Sequence, residues 1–278
     1  MKKYKIEKNT VQETLVIPLY GRWLCSQRYP HLFQDENAAG LMKRIDYDFF
    51  ELEKRSAGLM QEFGAMETAM RQKDMAWEVR DYLLSHPNAA VVNLGCGLDC
   101  TGRNCDNGSC KIYNIDLPDV IRVRNQLLPA GDREKNLALD LNDPAWMAAI
   151  DSDPEDGTVL FAAGVFYYFQ AEAVRTMVAA MSRRFPGGRL VFDAAGKTAV
   201  KLMLKTWVKQ AGIRDVGAYF SVKDAKGELE PWSPLFSVSS RGYMLGYQSL
   251  HDPAVRPVHW LLAKLADGPM HLQIVRID

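Results

Sequence analysis

Two features of the chain could do chemistry together. The apolar run AAVVNL ends in Gly95-Cys96-Gly97-Leu98-Asp99, and the next apolar run, KIYNI, ends at Asp116. Glycines directly after a strand permit φ > 0 and let a ligand touch the backbone. A carboxylate at the end of the following strand is placed to accept hydrogen bonds from both hydroxyls of an adenosine ribose. The tips of adjacent strands lie side by side, so turn and carboxylate face one nucleoside. A dinucleotide fingerprint needs a third glycine where Cys100 stands, and it sets a helix N-terminus against a pyrophosphate that Asp99 would repel. An acid at 99 suits a cofactor with an amino group and a sulfonium charge. That favours S-adenosylmethionine over a nicotinamide dinucleotide.

More candidates fall on the same rim. Asp140 and Leu141 close a third apolar run, where a carboxylate could take the exocyclic amine of adenine while the leucine packs the ring. Ala163 and Gly164 close a fourth run, and their small size leaves space for a methyl donor. Tyr167 and Tyr168 follow, placed to orient an acceptor oxygen or to face a sulfonium. Asp193, at the end of a fifth run, is a weaker candidate for a base. Cys96, Cys100, Cys105 and Cys110 cluster here, but their spacings do not match a CxxC zinc knuckle. No metal site is expected; the simpler reading is a flexible loop of free thiols, some open to oxidation.

The elements that must position these residues change character near residue 87. Before it, helical spacing prevails: Ala38, Leu41, Met42, Ile45 and Phe49 in one stretch, and Met66, Met70, Val79, Tyr82 and Leu83 in a second over roughly 66–85. Met60, Met66, Met70 and Met75 form a stripe that is core, or else an adaptable wall for a substrate. After residue 87, apolar runs at 89–95, 111–115, 136–141, 157–164 and 188–195 alternate with helix candidates at 117–127, 143–150, 171–184 and 197–211. That alternation predicts an α/β fold, a mostly parallel, doubly wound sheet covered on both faces. Beyond 212, VGAYFSV predicts a strand, KDAKGELE a short helix, and FSVSSRGYMLGY and MHLQIVRID two more strands that could close the sheet in antiparallel fashion.

The bulk numbers exclude little but exclude it cleanly. Of 278 residues, 34 are Lys or Arg and 34 are Asp or Glu. A balanced chain offers no electrostatic reason to expect nucleic acid or an anionic membrane as partner. Charges at Glu7, Lys8 and Glu13 interrupt any leader-like apolar core, and the odd count of 5 cysteines fits reduced thiols. A cytoplasmic protein with a small-molecule substrate is the expectation.

The segments VVNLGCGLD, IDLPDVIRVRNQLLP, ALDLNDPAW and AAGVFYYF, together with IPLYGRW and LFQDENAAGLMKRIDYDF, resemble the leucine carboxyl methyltransferase-like family. The branch is that of the tetracenomycin-type polyketide O-methyltransferases. The resemblance implies a class I methyltransferase, Rossmann-like fold, with residues 1–86 as an N-terminal helical cap over a core at 87–278. It places Gly95, Gly97 and Asp99 on the methionine and ribose of the cofactor, Asp116 and Leu117 at the ribose, and Asp140 and Leu141 at the adenine. Cap arginines of the family hold the methionine carboxylate, which makes Arg22 and Arg71 the candidates here. Two positions depart from the pattern: the turn continues Gly-Leu-Asp-Cys-Thr where relatives read Gly-Leu-Asp-Thr-Arg, and Ala163 stands where a glutamate is usual. The expected activity is methyl transfer to a hydroxyl or carboxyl of a small molecule. A nicotinamide-dependent oxidoreductase, or a cofactor-binding member without turnover, are the alternatives.

Overall fold

The computed structural model describes residues 3–7, 11–56, 58–204 and 217–278. Five apolar runs become parallel strands: β1 (Ala90–Leu94), β2 (Lys111–Asp116), β3 (Glu134–Ala138), β4 (Thr158–Ala162) and β5 (Arg189–Ala194). Two further strands, β6 (Val238–Gly242) and β7 (Gln273–Ile277), complete a sheet of order β3-β2-β1-β4-β5-β7-β6. β7 runs antiparallel to both β5 and β6, so it is the tail of the chain that closes the sheet. The winding reverses between β1 and β4, both parallel and in register from Ala90 opposite Thr158 to Leu94 opposite Ala162. That reversal opens a crevice at the carboxyl ends of the strands.

Both faces of the sheet are covered, which is why the central strands are apolar throughout. On one face, Val91, Val159, Phe161 and Val191 share a core with the long helix α3 (Leu59–Ser85) and with α1 (Val16–Arg28). On the other, Ala90, Val92, Leu94 and Leu160 pack against Val174, Met177 and Val178 of α5 (Ala171–Arg184). Residues alternate between the two cores along β1, as the pleat requires. A third cluster joins Leu19 of α1 and Leu41 of α2 (Glu36–Arg44) to Val120, Val123 and Leu127 of α4 (Pro118–Leu127). The segment before residue 87 therefore does not sit apart: its longest helix supplies one wall of the main core.

Several local expectations need correction. The stretch 38–49 is helical only to Arg44; Ile45 and Asp46 pair instead with Tyr4 and Lys5 as a short parallel ladder. The long cap helix begins earlier than expected, at Leu59. The third strand lies at 134–138, ahead of 136–141, because Asp140 turns the chain by accepting from the Asn142 backbone N–H. Residues 144–149 wind as a 3₁₀ turn begun by Asp143 and Pro144. Gly217–Val222 is not a strand: Tyr219 and Phe220 donate to the Tyr167 carbonyl and Val222 to that of Ala195, with no ladder. Of the helix candidate at 197–211, α6 (Lys197–Met203) is seen; positions 205–211 lie outside the described residues, as does Val216. The short helix in KDAKGELE is α7 (Ala225–Leu229), and α8 (Pro257–Asp267) occupies a stretch for which the sequence reading assigns no element. Pro257 at its first turn and Gly268 at its end are ordinary boundary signals. No helix among the described residues is long and apolar enough to cross a membrane.

Candidate functional site

A cavity of about 770 Å³ opens over the crevice between β1 and β4, roofed by α1 and α3. That is within the usual range for small-molecule sites. Of the candidate cofactor, acceptor and base residues, all line it except Tyr167 and Asp193. Tyr167 is 4% exposed and packs in the main core, where Asp193, Tyr243 and Arg71 surround it. Burial pushes its phenol well above the ordinary range, so it is neither placed nor poised to meet an acceptor. Tyr168 does face the cavity, its ring 39% exposed.

The glycine turn is built as its sequence implies. Gly95 and Gly97 have φ of +64° and +47°, the left-handed region. A Cβ on Gly95 would also lie 2.6 Å from a methyl of Val165, so a side chain there is barred by both conformation and space. Asp116 reaches across to the turn: its Oδ2 accepts from the Gly97 N–H at 2.8 Å and its Oδ1 from the Leu117 N–H at 2.8 Å. Burial raises its carboxyl above the usual range, against those two donors and the more distant Arg124. Each oxygen keeps acceptor capacity, and the group lines the cavity.

Asp99 plays a different part from the one expected. Its Oδ1 accepts from Gln72 Nε2 and Thr101 Oγ1, at 2.7 and 2.8 Å, and its Oδ2 from Asn93 Nδ2 and the Thr101 N–H, both at 3.0 Å. Four donors saturate the carboxylate, which ties strand, turn and cap helix together. Arg124 supports the same turn from below. It is 1% exposed and donates to the carbonyls of Gly97 and Asp99, at 3.0 and 2.7 Å. Nothing in RVRNQL distinguishes it from a helix-surface charge, and sequence reasoning passes over it.

The two cap arginines both reach the cavity. Arg22 donates through Nε to Asp35 at 2.8 Å and through Nη2 to the Leu98 carbonyl at 3.1 Å. Arg71 donates through Nη1 to Asp193 Oδ2 at 3.0 Å, while Asp193 Oδ1 accepts from the Gly164 N–H at 2.6 Å. Burial opposes the charge on Arg71, but Asp193, Tyr243 and Tyr167 hold its pKa above the ordinary guanidinium range. Asp193 itself does not line the cavity; its place is behind the arginine.

Helix α3 divides its residues by face. Gly64, Glu67, Thr68, Arg71 and Gln72 fall at helical spacing and all line the cavity. Met66, Met70 and Met75 are fully buried in the main core and line nothing. The methionine stripe is thus packing, and the polar stripe beside it is the site; its signal in the sequence was the matching period of Gly64, Glu67, Thr68, Arg71 and Gln72. Met66→Ala and Met70→Ala are each expected to lower stability by about 2–5 kcal/mol by leaving a cavity. Urea denaturation measures this, and an unchanged midpoint in both variants would contradict it.

The cysteine loop also needs correction. All five thiols are free and buried, and Asp106 and Asn107 order the loop through turns onto Gly108 and Ser109. Burial pushes Cys100 up to about 11 and Cys105 up to about 12. Among the described residues no three His, Cys, Asp or Glu side chains converge as for a metal ion. Native protein is expected to react with a thiol-exchange reagent on the order of 100-fold more slowly than unfolded protein. Rapid labelling of any one thiol in the folded state would show the loop to be open.

The model of the family described as leucine carboxyl methyltransferase matches residues 16–182. Over 186 residues the chain is 29% identical to the tetracenomycin polyketide synthesis O-methyltransferase TcmP of Streptomyces glaucescens. That match covers 66% of this chain and 66% of the relative, just short of two thirds of its length. Among solved structures, a DUF574 family protein from Streptomyces avermitilis is similar with a TM-score of 0.57 at 11% identity, covering 91% of this chain and 95% of that one. A provisionally assigned methyltransferase of Thermobifida fusca is similar with a TM-score of 0.55 at 16% identity, covering 77% of this chain and 81% of that one.

Proposed function

Since the chain belongs to the leucine carboxyl methyltransferase family and has the class I methyltransferase fold, we propose that it is an S-adenosylmethionine-dependent O-methyltransferase acting on a hydroxyl or carboxyl of a small molecule. The observation that carries this is Asp116, held against the Gly95–Gly97 turn and facing the same cavity as both cap arginines.

The wall fits the cofactor in order. We assign Asp116 and Leu117 to the ribose, and Asp140 and Leu141, beyond β3, to the adenine. Asp140 Oδ1 already accepts twice from Asn142, which fixes the carboxylate while its other oxygen makes no hydrogen bond to a described residue. Arg22 and Arg71 are cations for a carboxylate at the middle of the cavity. Gln72 Oε1 is buried with no hydrogen-bond partner among the described residues, an acceptor for an ammonium group. Asp99 contributes by holding Gln72 in that position. When bound, S-adenosylmethionine supplies a methyl group already activated on a sulfonium. The protein's own work is alignment and the exclusion of water. Ala163 and Gly164 leave the β4 tip open for the transfer, with Arg71 close behind: a Cβ on Gly164 would lie 2.8 Å from Nη1. Tyr168 stands at the acceptor side of that gap.

Isothermal titration tests the reading. Micromolar binding of S-adenosylhomocysteine without binding of NADH supports it, and the reverse preference overturns it. Transfer of labelled methyl groups to any member of an acceptor panel separates an enzyme from a cofactor-binding member without turnover.

A further inference from the structure

We propose that Arg124 is a positioning residue for the cofactor: from behind the glycine turn it fixes the Gly97 and Asp99 carbonyls and so keeps the Leu98 N–H aimed at the ligand. This rests on the methyl-transfer reading and deepens it.

Arg124 is 1% exposed and does not line the cavity, so its influence on a ligand must pass through other residues. Its short hydrogen bonds run to the turn: Nη1 donates to the Asp99 carbonyl at 2.7 Å and to the Gly97 carbonyl at 3.0 Å. Its carboxylate partner, Glu134, is farther away, 3.4 Å from Nη2. A buried ion pair adds little net stability by itself. Glu134 is served in any case by Asn114 Nδ2 at 2.7 Å and Arg103 Nε at 2.9 Å. Asn136 Oδ1 accepts from Arg124 Nε at 2.9 Å, which fixes the plane of the fork. Residues of β3 thus brace the guanidinium, and the guanidinium braces the turn.

The polar groups of the turn are divided in a way that leaves one donor over. The Cys96 carbonyl accepts from the Asp99 N–H, the Leu98 carbonyl from Arg22 Nη2, and the Gly97 and Asp99 carbonyls from Arg124. The Gly97 N–H donates to Asp116. The Leu98 N–H makes no hydrogen bond to a described residue, and Leu98 lines the cavity. That N–H belongs to the same trans peptide as the Gly97 carbonyl, and the two point in opposite directions. Holding the carbonyl on Arg124, away from the cavity, aims the N–H the other way. Glycine at φ +47° has other wells open to it, so an anchor outside the turn is what keeps this peptide from turning over.

Arg124 also acts by charge. Burial raises the Asp116 carboxyl, and the Gly97 N–H, the Leu117 N–H and the charge of Arg124 oppose that rise. Cys96 of the turn is the other titratable group that feels Asp116, while Cys96, Cys100, Asp99 and Glu134 face Arg124. Asp119 and Arg122 of α4 pair with each other on the exposed side of the helix. An ionised Asp116 has acceptor sites to spare for both ribose hydroxyls, and a protonated one has fewer. Without Arg124, burial raises Asp116 further. Affinity for the cofactor then begins to fall at a higher pH as the solution is acidified.

The test uses the full chain with S-adenosylhomocysteine as the probe, titrated by calorimetry from mildly acidic to mildly basic pH, with urea denaturation of the same proteins. Arg124→Met is expected to weaken binding by about tenfold or more, through loss of the charged donors that hold the turn. Its acid-side fall in affinity is expected at higher pH than in the wild type. Arg124→Lys keeps the charge without the fork, so its affinity should be intermediate and its acid-side fall should match the wild type. Met66→Ala, destabilised within the main core, is expected to bind like the wild type. If Arg124→Met does not fold, Asn136→Leu takes its place, since it withdraws the acceptor from Nε; a several-fold loss is expected. Full affinity in Arg124→Met overturns the proposal, as does full affinity in both Arg124→Lys and Asn136→Leu where the methionine variant does not fold. An unshifted acid-side fall in Arg124→Met, or an equal loss of affinity in Met66→Ala, overturns it too. If the wild type binds S-adenosylhomocysteine and the variants match it, this inference alone fails; if the wild type does not bind, the methyl-transfer reading fails and this inference with it.

Discussion

Asp116→Ala is expected to weaken S-adenosylhomocysteine binding by about 100-fold or more, the loss of two charge-assisted hydrogen bonds at roughly 1.5–3 kcal/mol each. Two effects combine. The ribose loses its acceptor, and the Gly97 and Leu117 N–H groups lose the carboxylate that fixes the turn. Asp116→Asn separates them, since the amide oxygen can still accept from one backbone donor. It is expected to fall between wild type and alanine. Titration calorimetry on all three proteins checks the series, with circular dichroism to confirm that each is folded. Full affinity in the alanine variant would remove the basis of the functional reading.

The second large effect concerns stability. Asp193→Ala is expected to cost about 3–5 kcal/mol, because it leaves a buried cation unpaired. The Arg71 and Asp193 side chains are 17% and 1% exposed, and the same carboxylate satisfies the Gly164 N–H. Adding Arg71→Met to that variant removes the stranded charge, so the double variant should lose less than the two single variants summed. Urea denaturation of the four proteins gives the coupling directly. Strict additivity would mean that water, and not the ion pair, stabilises these groups. The same geometry explains why Asp193 is a poor candidate for a base: both its oxygens are engaged, and it stands behind Arg71.

The central strands were legible because burial on both faces makes each a continuous apolar run, and because Gly95, Gly97 and Asp116 stand where a strand tip must turn. The rim residues followed from that frame. What the sequence concealed lies in elements whose signal is tertiary. Gly217–Val222 has the composition of a strand, yet Phe220 and Val222 are buried in the core on the far face without a ladder partner. Arg124 resembles any helix-surface arginine until the fold places it under the turn. Asp99 reads as a ligand contact because an acid stands in the glycine turn; its donors come from as far apart as Gln72 and Thr101, and no spacing predicts that convergence. In α3 the methionines draw attention for their chemistry, while the cavity face is spelled by Glu67, Thr68, Arg71 and Gln72, which read as ordinary solvated helix positions.

That two-sided helix has a consequence for how such a chain can change over evolutionary time. The cavity-lining residues Gly64, Glu67 and Thr68 and the core residues Met66 and Met70 occupy different sides of one helix. Substitution at Gly64, Glu67 or Thr68 can redraw the cavity while Met66 and Met70 go on anchoring the architecture. Diversification of what is methylated is thereby uncoupled from the risk of misfolding, and a library confined to those three positions is the natural place to look for new acceptors.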